Sequence, residues 1–340
     1  MRNHEVVERH RLLKDGKLAE PGWSRSLVQI YDRNDIKKRK TRIKEWDYYY
    51  IMSHSNKLCL CLTVSDLGYL GLYSVNLINL EEATEKTDNV ITVFPMGKTG
   101  MPASSAEGDV VFEHKKITIK YLHDGKDRLI QMNYPSFDGG KGISCDIRLS
   151  DEPEDSMVIA TPWNEDPYAF YYNQKINCMR ASGSFRYGNE TFELDPSLDF
   201  AGLDWGRGVW TYDNYWYWGS GSGQIEGVPF GFNLGYGFGD TSAASENVIF
   251  YDGKAHKFDD IIFNISDNYI DDWTFKSSDG RFDMHFKPII DRNAKIDLKV
   301  IITDQHQVFG RMSGTAVLDD GRKIELKDFL CFAEKVHNKY

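Results

Sequence analysis

The chain has 340 residues, of which 41% are hydrophobic and 14% aromatic, and it carries a formal net charge of −10. That length is generous for one β domain and comfortable for two, with enough apolar residues for a sizeable core. The negative charge repels phosphate backbones and so excludes nucleic acid as a partner.

Residues 1–11 are charged and lack the apolar core of a secretory signal. No stretch approaches the ~18 apolar residues that a membrane helix needs, so the expectation is a cytoplasmic protein without stable membrane insertion. The basic run Lys37, Lys38, Arg39, Lys40, Arg42 and Lys44 reads as a solvated loop, an anionic ligand or membrane surface being the alternative contact. Alternation predicts a strand over 45–51, with Trp46, Tyr48 and Tyr50 on one face. Glu45, Asp47 and Tyr49 take the other face, which is expected to meet solvent, the alternative being that it lines a polar cavity. Further strands are predicted over 58–64, 72–77, 169–172, 215–220 and 295–303. Cys59 and Cys61 share one face of the first of these; the five cysteines are odd in number and contain no CxxC pair, which argues against disulfides and zinc.

Five dipeptides stand between strand-like runs: Asp124-Gly125, Gly188-Asn189, Asp252-Gly253, Asp279-Gly280 and Asp320-Gly321. Gly, Asn and Asp tolerate the positive φ that a two-residue hairpin turn demands, so each marks a hairpin. Residues 150–167 are acidic and carry Pro153, Pro162 and Pro167, the signature of a crossing between two β units. The chain is accordingly divided into residues 1–180 and 181–340. Helix is expected for no more than a turn or two, in the N-terminal segment and over 325–335. The class is all-β, with two antiparallel β-barrels or sandwiches in tandem.

Residues 198–253 stand apart from the rest. Asp204, Trp205, Arg207, Trp210, Tyr212, Trp216 and Trp218 lie within fifteen positions. Trp216, Trp218 and Ser220 fall on one face of a strand, Tyr217 and Gly219 on the other. In the next run Phe230, Phe232, Leu234, Tyr236 and Phe238 point one way, and Gly231, Asn233, Gly235 and Gly237 the other. A nearly bare backbone face admits either an abutting strand or a ligand held by Asn233. Asp204, between Leu203 and Trp205, is expected to be partly desolvated and so to bind its proton more tightly, with any pairing to Arg207 pulling the other way. Glu246 and Asn247 open the following strand. A structural bridge between a carboxylate and an arginine is the bland alternative.

No cofactor is implied. The glycines alternate within a strand instead of opening a helix, and no His, Asp or Glu cluster has ligand spacing. GSGSG at 219–223 sits in a hairpin, not in a nucleophile elbow. Further upstream, FYYNQKIN at 170–177 offers Tyr172, Asn173 and Lys175 as polar groups.

The segments RIKEWDYYYI, TVSDLGYLG, FYYNQKINCM, LDWGRGVWTYDNYWYWGSGSG, GFNLGYGFGDTSAASENVIFYDGKAHK and FLCFAEKV resemble the domain of unknown function 2804 family, over nearly the whole chain. The resemblance implies two tandem lipocalin-like barrels. More remotely it extends to carotenoid 1,2-hydratase and AttH-like proteins, with tocopherol cyclase and fungal Diels–Alderases as distant relatives. These relatives bind hydrophobic polyene or prenyl ligands between two barrels and act on them with acidic and aromatic side chains. Carried over by resemblance, Asp204 in LDWGRG is a candidate proton donor, although Gly206-Arg207-Gly208 departs from the more acidic or Trp-containing pattern of the relatives.

Three functions follow. The first is acid-catalysed hydration, isomerisation or cyclisation of a hydrophobic or aromatic small molecule. Asp204, Arg207 and Glu246 would be catalytic, with Trp205, Trp210, Tyr212, Trp216, Trp218, Asn233 and Asn247 as ligand contacts. The second is a non-catalytic carrier or sensor of such a molecule. The third is carbohydrate binding or cleavage on Trp platforms beside carboxylates. Each requires the stretch from Asp204 to Asn247 to form neighbouring strands whose side chains converge on one hollow.

Overall fold

The computed structural model describes residues 2–297 and 302–339, and it is almost entirely antiparallel β. All five turn dipeptides close hairpins, joining Ile117–His123 to Arg128–Tyr134, Phe170–Tyr187 to Glu190–Leu194, Val248–Tyr251 to Lys254–Lys257, Trp273–Ser277 to Phe282–Asp297 and Ile302–Val317 to Lys323–Lys339. Asp252 (φ 51°) and Gly253 (φ 77°) both adopt the left-handed conformation that the tightest turn needs.

Two large sheets hold nearly all of these strands. In the first, Phe170–Tyr187 and Phe200–Val209 lie side by side at the centre, followed by Lys44–Ser53, Leu58–Asp66, Leu70–Asn79 and Thr84–Val93. On their other side run Ile143–Ser150, Arg128–Tyr134, Ile117–His123 and Val110–His114. The sheet curls until Tyr73 stacks on Phe112, their ring centroids 3.2 Å apart. The second sheet runs Lys254–Lys257, Val248–Tyr251, Val228–Tyr236, Asp213–Ile225, Lys323–Lys339, Ile302–Val317, Phe282–Asp297, Trp273–Ser277 and Ile261–Asn264. Its curl brings Phe263 of the last strand against Tyr236.

Three expectations change. The chain crosses between sheets at 210–212, because Phe200–Val209 still pairs in the first sheet and Asp213–Ile225 starts the second; a division at 180/181 cuts Phe170–Tyr187 in two. The proline-bearing stretch 150–167 is not a crossing, since Met157–Pro162 within it folds back onto Phe170–Tyr187 as one more strand of the same sheet. Residues 325–335 are strand throughout, paired along one edge with Ile302–Val317 and, from Phe332 onwards, along the other with Asp213–Ile225; among the described residues helix is limited to Phe137–Gly140 with 3-10 turns at Arg33–Asp35 and Lys40–Arg42. Of the strand expected over 295–303, residues 298–301 lie outside the described residues; Asp297 ends one strand and Ile302 begins its partner.

Each curled sheet encloses an aromatic and aliphatic core, and the two sheets then pack outer face to outer face. Strand alternation decides which side chains go where. On Lys44–Ser53 the acidic face does not meet solvent but turns into the first core, where Glu45, Asp47 and Tyr49 are 1%, 5% and 2% exposed. Their charges are matched there by Arg33 and Arg207. The opposite face sends Trp46, Tyr48 and Tyr50 towards the second sheet, and Gly202 and Gly206 lie under the Tyr50 and Trp46 rings, which a Cβ at either glycine would overlap. Tyr50 OH shares hydrogen bonds with Ser220 (3.0 Å) and Ser222 (2.8 Å) across the interface. Asn177, placed by a bulge between Ile176 and Met179, donates to Tyr50 OH (2.9 Å) and to the carbonyls of Gly221 and Phe232 (both 3.1 Å). The halves are therefore joined by polar bonds as well as by rings.

Candidate functional site

The interface gathers charge. Lys175 and Asp204 are register partners on adjacent strands, and Asn173 lies two residues before Lys175 on the same face. The Lys175 ammonium pairs with Asp204 Oδ1 at 2.8 Å and the Asn173 amide donates to the same oxygen at 2.5 Å. From the facing sheet Trp218 lays its ring 4.1 Å from Lys175 Nζ. Its Nε1 donates to Asn233 Oδ1 (2.7 Å), and Asn233 in turn donates to the Glu246 carbonyl (2.9 Å). A bare backbone at Gly235 leaves room for the Glu246 carboxylate, whose Oε2 sits 3.0 Å from where a Cβ would stand. Trp216, next to Trp218 on the same face, donates from Nε1 to Glu334 Oε1 (2.9 Å); Gln307 donates to Glu334 Oε2 (3.2 Å). Asp204, Lys175, Glu246 and Glu334 are all at most 8% exposed.

Burial raises the proton affinity of Glu246, and the negative charge of Asp204 adds to it while Lys175 opposes it. Glu334 is raised by burial too, against the Trp216 hydrogen bond and the charges of Arg292 and Lys175. Tyr171 is pushed far up by burial, with Glu246 and Asp204 contributing. Beside Glu246, burial brings Lys257 down to about 7. Its ammonium donates to the carbonyls of Ser245 (2.5 Å) and Asn247 (2.8 Å), holding the backbone on both sides of Glu246. Among the described residues no group of three His, Cys, Asp or Glu side chains is placed to hold a metal ion. Two cavities lie elsewhere: one at the mouth of the first curled sheet beside Asp47, Tyr121 and Arg128, the other against Gln131 and Asp146.

The family described as Domain of unknown function (DUF2804) matches residues 3–340. The chain belongs to this family. Among solved structures it is similar to CghA with Sch210972 (TM-score 0.57, 11% identity, covering 96% of this chain and 97% of that one). It is similar also to a putative AttH from Nitrosomonas europaea (TM-score 0.52, 11% identity, 86% and 92%). Kievitone hydratase from Nectria haematococca matches with TM-score 0.48 at 12% identity over 87% and 88%. No curated protein matches the sequence. The likeness to CghA and AttH establishes the fold, a tandem of lipocalin-like antiparallel half-barrels.

In this DUF2804 chain the residues singled out from sequence divide in two. Asp204, Glu246, Asn233, Trp216 and Trp218 come together, on two sheets facing each other and not on neighbouring strands of one. Trp210 lies next to them, edge-on to Trp46 with 5.6 Å between centroids. Arg207 and Trp205 do not join them, since an odd-numbered position on Phe200–Val209 faces the first core. Trp205 packs between Tyr31 and Tyr172, while Arg207 pairs with Asp47 (3.0 Å) and donates to the carbonyls of Trp46 and Pro102. The alternative of an Asp204–Arg207 bridge is therefore not met: residues three apart on a strand lie on opposite faces. Tyr212, 47% exposed, is in the crossing between sheets. Asn247 spends its amide on backbone, accepting from Gly235 N–H (2.9 Å) and donating to the Asp259 carbonyl (2.8 Å). The glycine face is abutted at Gly231 by Cys178, as in the first of its two readings, while at Gly235 it accommodates Glu246.

Sequence reasoning missed the partners on other strands. Lys175 and Asn173 stand out only as polar groups in FYYNQKIN, and nothing local pairs them with Asp204, 29 and 31 positions later. Glu334 gave a usable signal: it is the one carboxylate inside the apolar run FLCFAEKV.

Proposed function

We propose that the chain binds a hydrophobic or aromatic small molecule between its two sheets and performs acid–base chemistry on it, of the kind that hydrates, isomerises or cyclises an unsaturated substrate. The observation that carries this reading is the burial of Asp204, Glu246, Glu334 and Lys175 together among indole rings. Each buried ion costs several kcal/mol of hydration, and an interface that served only to join two sheets would gain more from apolar side chains. Groups with shifted proton affinity gathered at one place are the mark of a chemical site. That CghA, of the same fold, is solved with Sch210972 supports ligand binding by this architecture.

The geometry supports roles for each group. Asp204 accepts two hydrogen bonds at one oxygen, so it serves as the fixed carboxylate that orients the ligand or stabilises developing positive charge. Glu246, with its proton held more tightly, is the better donor, which moves the acid role one side chain away from the Asp204 that the resemblance suggested. Lys175 positions Asp204, and the face of Trp216 favours a carbocation. A carbohydrate platform finds no support, because both indoles are bonded inwards, to Glu334 and Asn233.

Native mass spectrometry of the Glu246→Gln variant purified without detergent is expected to show a copurifying apolar molecule. Returned to fresh protein, that molecule should be converted by the wild type and bound unchanged by Glu246→Gln. Recovery of the unaltered molecule from the wild type would make the protein a carrier.

A further inference from the structure

Trp216, which holds Glu334, also forms one wall of a box of rings. Phe238 sits at its centre, with ring centroids 4.9 Å from Trp163, 5.0 Å from Tyr171, 5.3 Å from Trp216 and 5.4 Å from Trp210. All four contacts are edge-to-face, with interplanar angles between 71° and 89°. Trp46 backs the box, stacked on Tyr171. The occupant comes from the segment 237–247, which belongs to neither Val228–Tyr236 before it nor Val248–Tyr251 after it. Strand alternation would have sent Phe238 into the second core with Phe230 and Phe232. It is turned out instead by Gly237 (φ 90°), and Gly239 (φ 75°) follows it. Glycine alone adopts and leaves this region without strain, so both positions permit rotation of the ring between them. The same segment carries Glu246.

We propose that the box is the binding site for a phenyl-sized unsaturated hydrocarbon group of the ligand, and that Phe238 fills it as a placeholder when no ligand is bound. The inference rests on the reading that a ligand enters between the sheets, and it specifies what that ligand must carry. Four edge-to-face walls suit a flat apolar guest in the pose that Phe238 already shows. A cation is attracted by the same Trp and Tyr faces and is the competing class of guest. Entry of the guest and departure of Phe238 would move the segment that holds Glu246, coupling occupancy of the box to placement of the carboxylate.

The test titrates 4-fluorostyrene into the full chain and follows the fluorine resonance of the probe. The wild type is expected to bind one equivalent weakly, because the box is open only in a minor fraction of molecules. Phe238→Ala removes that competition and is expected to tighten binding on the order of tenfold or more. Wild type labelled with 4-fluorophenylalanine at 238 should show that resonance shift as the probe binds. Phe238→Leu, a smaller change, serves should the alanine variant fail to fold, with the same direction expected. A wild type that takes no probe while Phe238→Ala binds it marks a vacated core position and overturns the proposal, as does a 238 resonance indifferent to bound probe. Preference for tetramethylammonium over 4-fluorostyrene overturns the assigned ligand class. Glu246→Gln should keep probe binding in the Phe238→Ala background. Conversion of the copurified molecule with no competition from Phe238 would sink the box and leave the acid–base reading standing.

Discussion

At the level of single residues, the interface is decided by which charges find partners. Lys175 and Asp204 are the one directly bonded ion pair in the cluster. Lys175→Met leaves Asp204 buried without its cation, an arrangement that costs about 3–5 kcal/mol. Adding Asp204→Asn to that variant should restore part of the loss, and chemical denaturation of the four proteins measures the coupling. Glu246 and Glu334 act in the opposite sense. Their proton affinity is higher in the folded chain than in the unfolded one, so between the two values the folded state binds more protons. Their contribution is complete below the unfolded value of about 4.3 and is lost as pH climbs through the folded one. Glu246→Gln and Glu334→Gln should each flatten that decline, and melting temperature followed from pH 4 upward checks it.

Strands and turns were readable from sequence to different degrees. The hairpins could be placed because Gly with Asp or Asn is a local requirement of backbone sign, satisfied within two residues. Faces could be assigned along Tyr215–Ser220 for the same local reason, and Trp216, Trp218 and Ser220 do share the interface. What failed depended on a second strand. The environment of Asp47 is set by Arg207 at 160 positions' distance, and a polar face reads as solvent-exposed until its partner is known. The acidic, proline-bearing stretch looked like a linker because proline marks strand edges as well as linkers. Gly206 shows how one strand is shaped by another: its lack of a side chain is filled by the Trp46 indole. Gly206→Ala should cost about 1–3 kcal/mol by overpacking, whereas Gly219→Ala, whose nearest atom would be 3.4 Å away, should cost much less. Equal losses in the two variants would contradict the packing described for the interface.

For the molecule as a whole, the two curled sheets are coupled in part through a small polar set around Tyr50, Asn177, Ser220 and Ser222. Asn177 is the hub, and Asn177→Ala strands buried carbonyls and hydroxyls at a cost of about 1–3 kcal/mol. The same variant should broaden the denaturation transition, since each half has its own core. An unchanged, single sharp transition would mean that the sheets stay coupled without the Asn177 set. Seen at this scale, the carboxylates between the sheets are supplied by both halves, which is why no single segment of sequence displayed them. The most direct measurement is the infrared carbonyl band of protonated carboxyl groups, recorded as a pH titration of wild type minus Glu246→Gln. A difference band that persists well above the ordinary glutamate range is expected of a proton held between the sheets; its disappearance at the pH of a solvated glutamate would contradict the site.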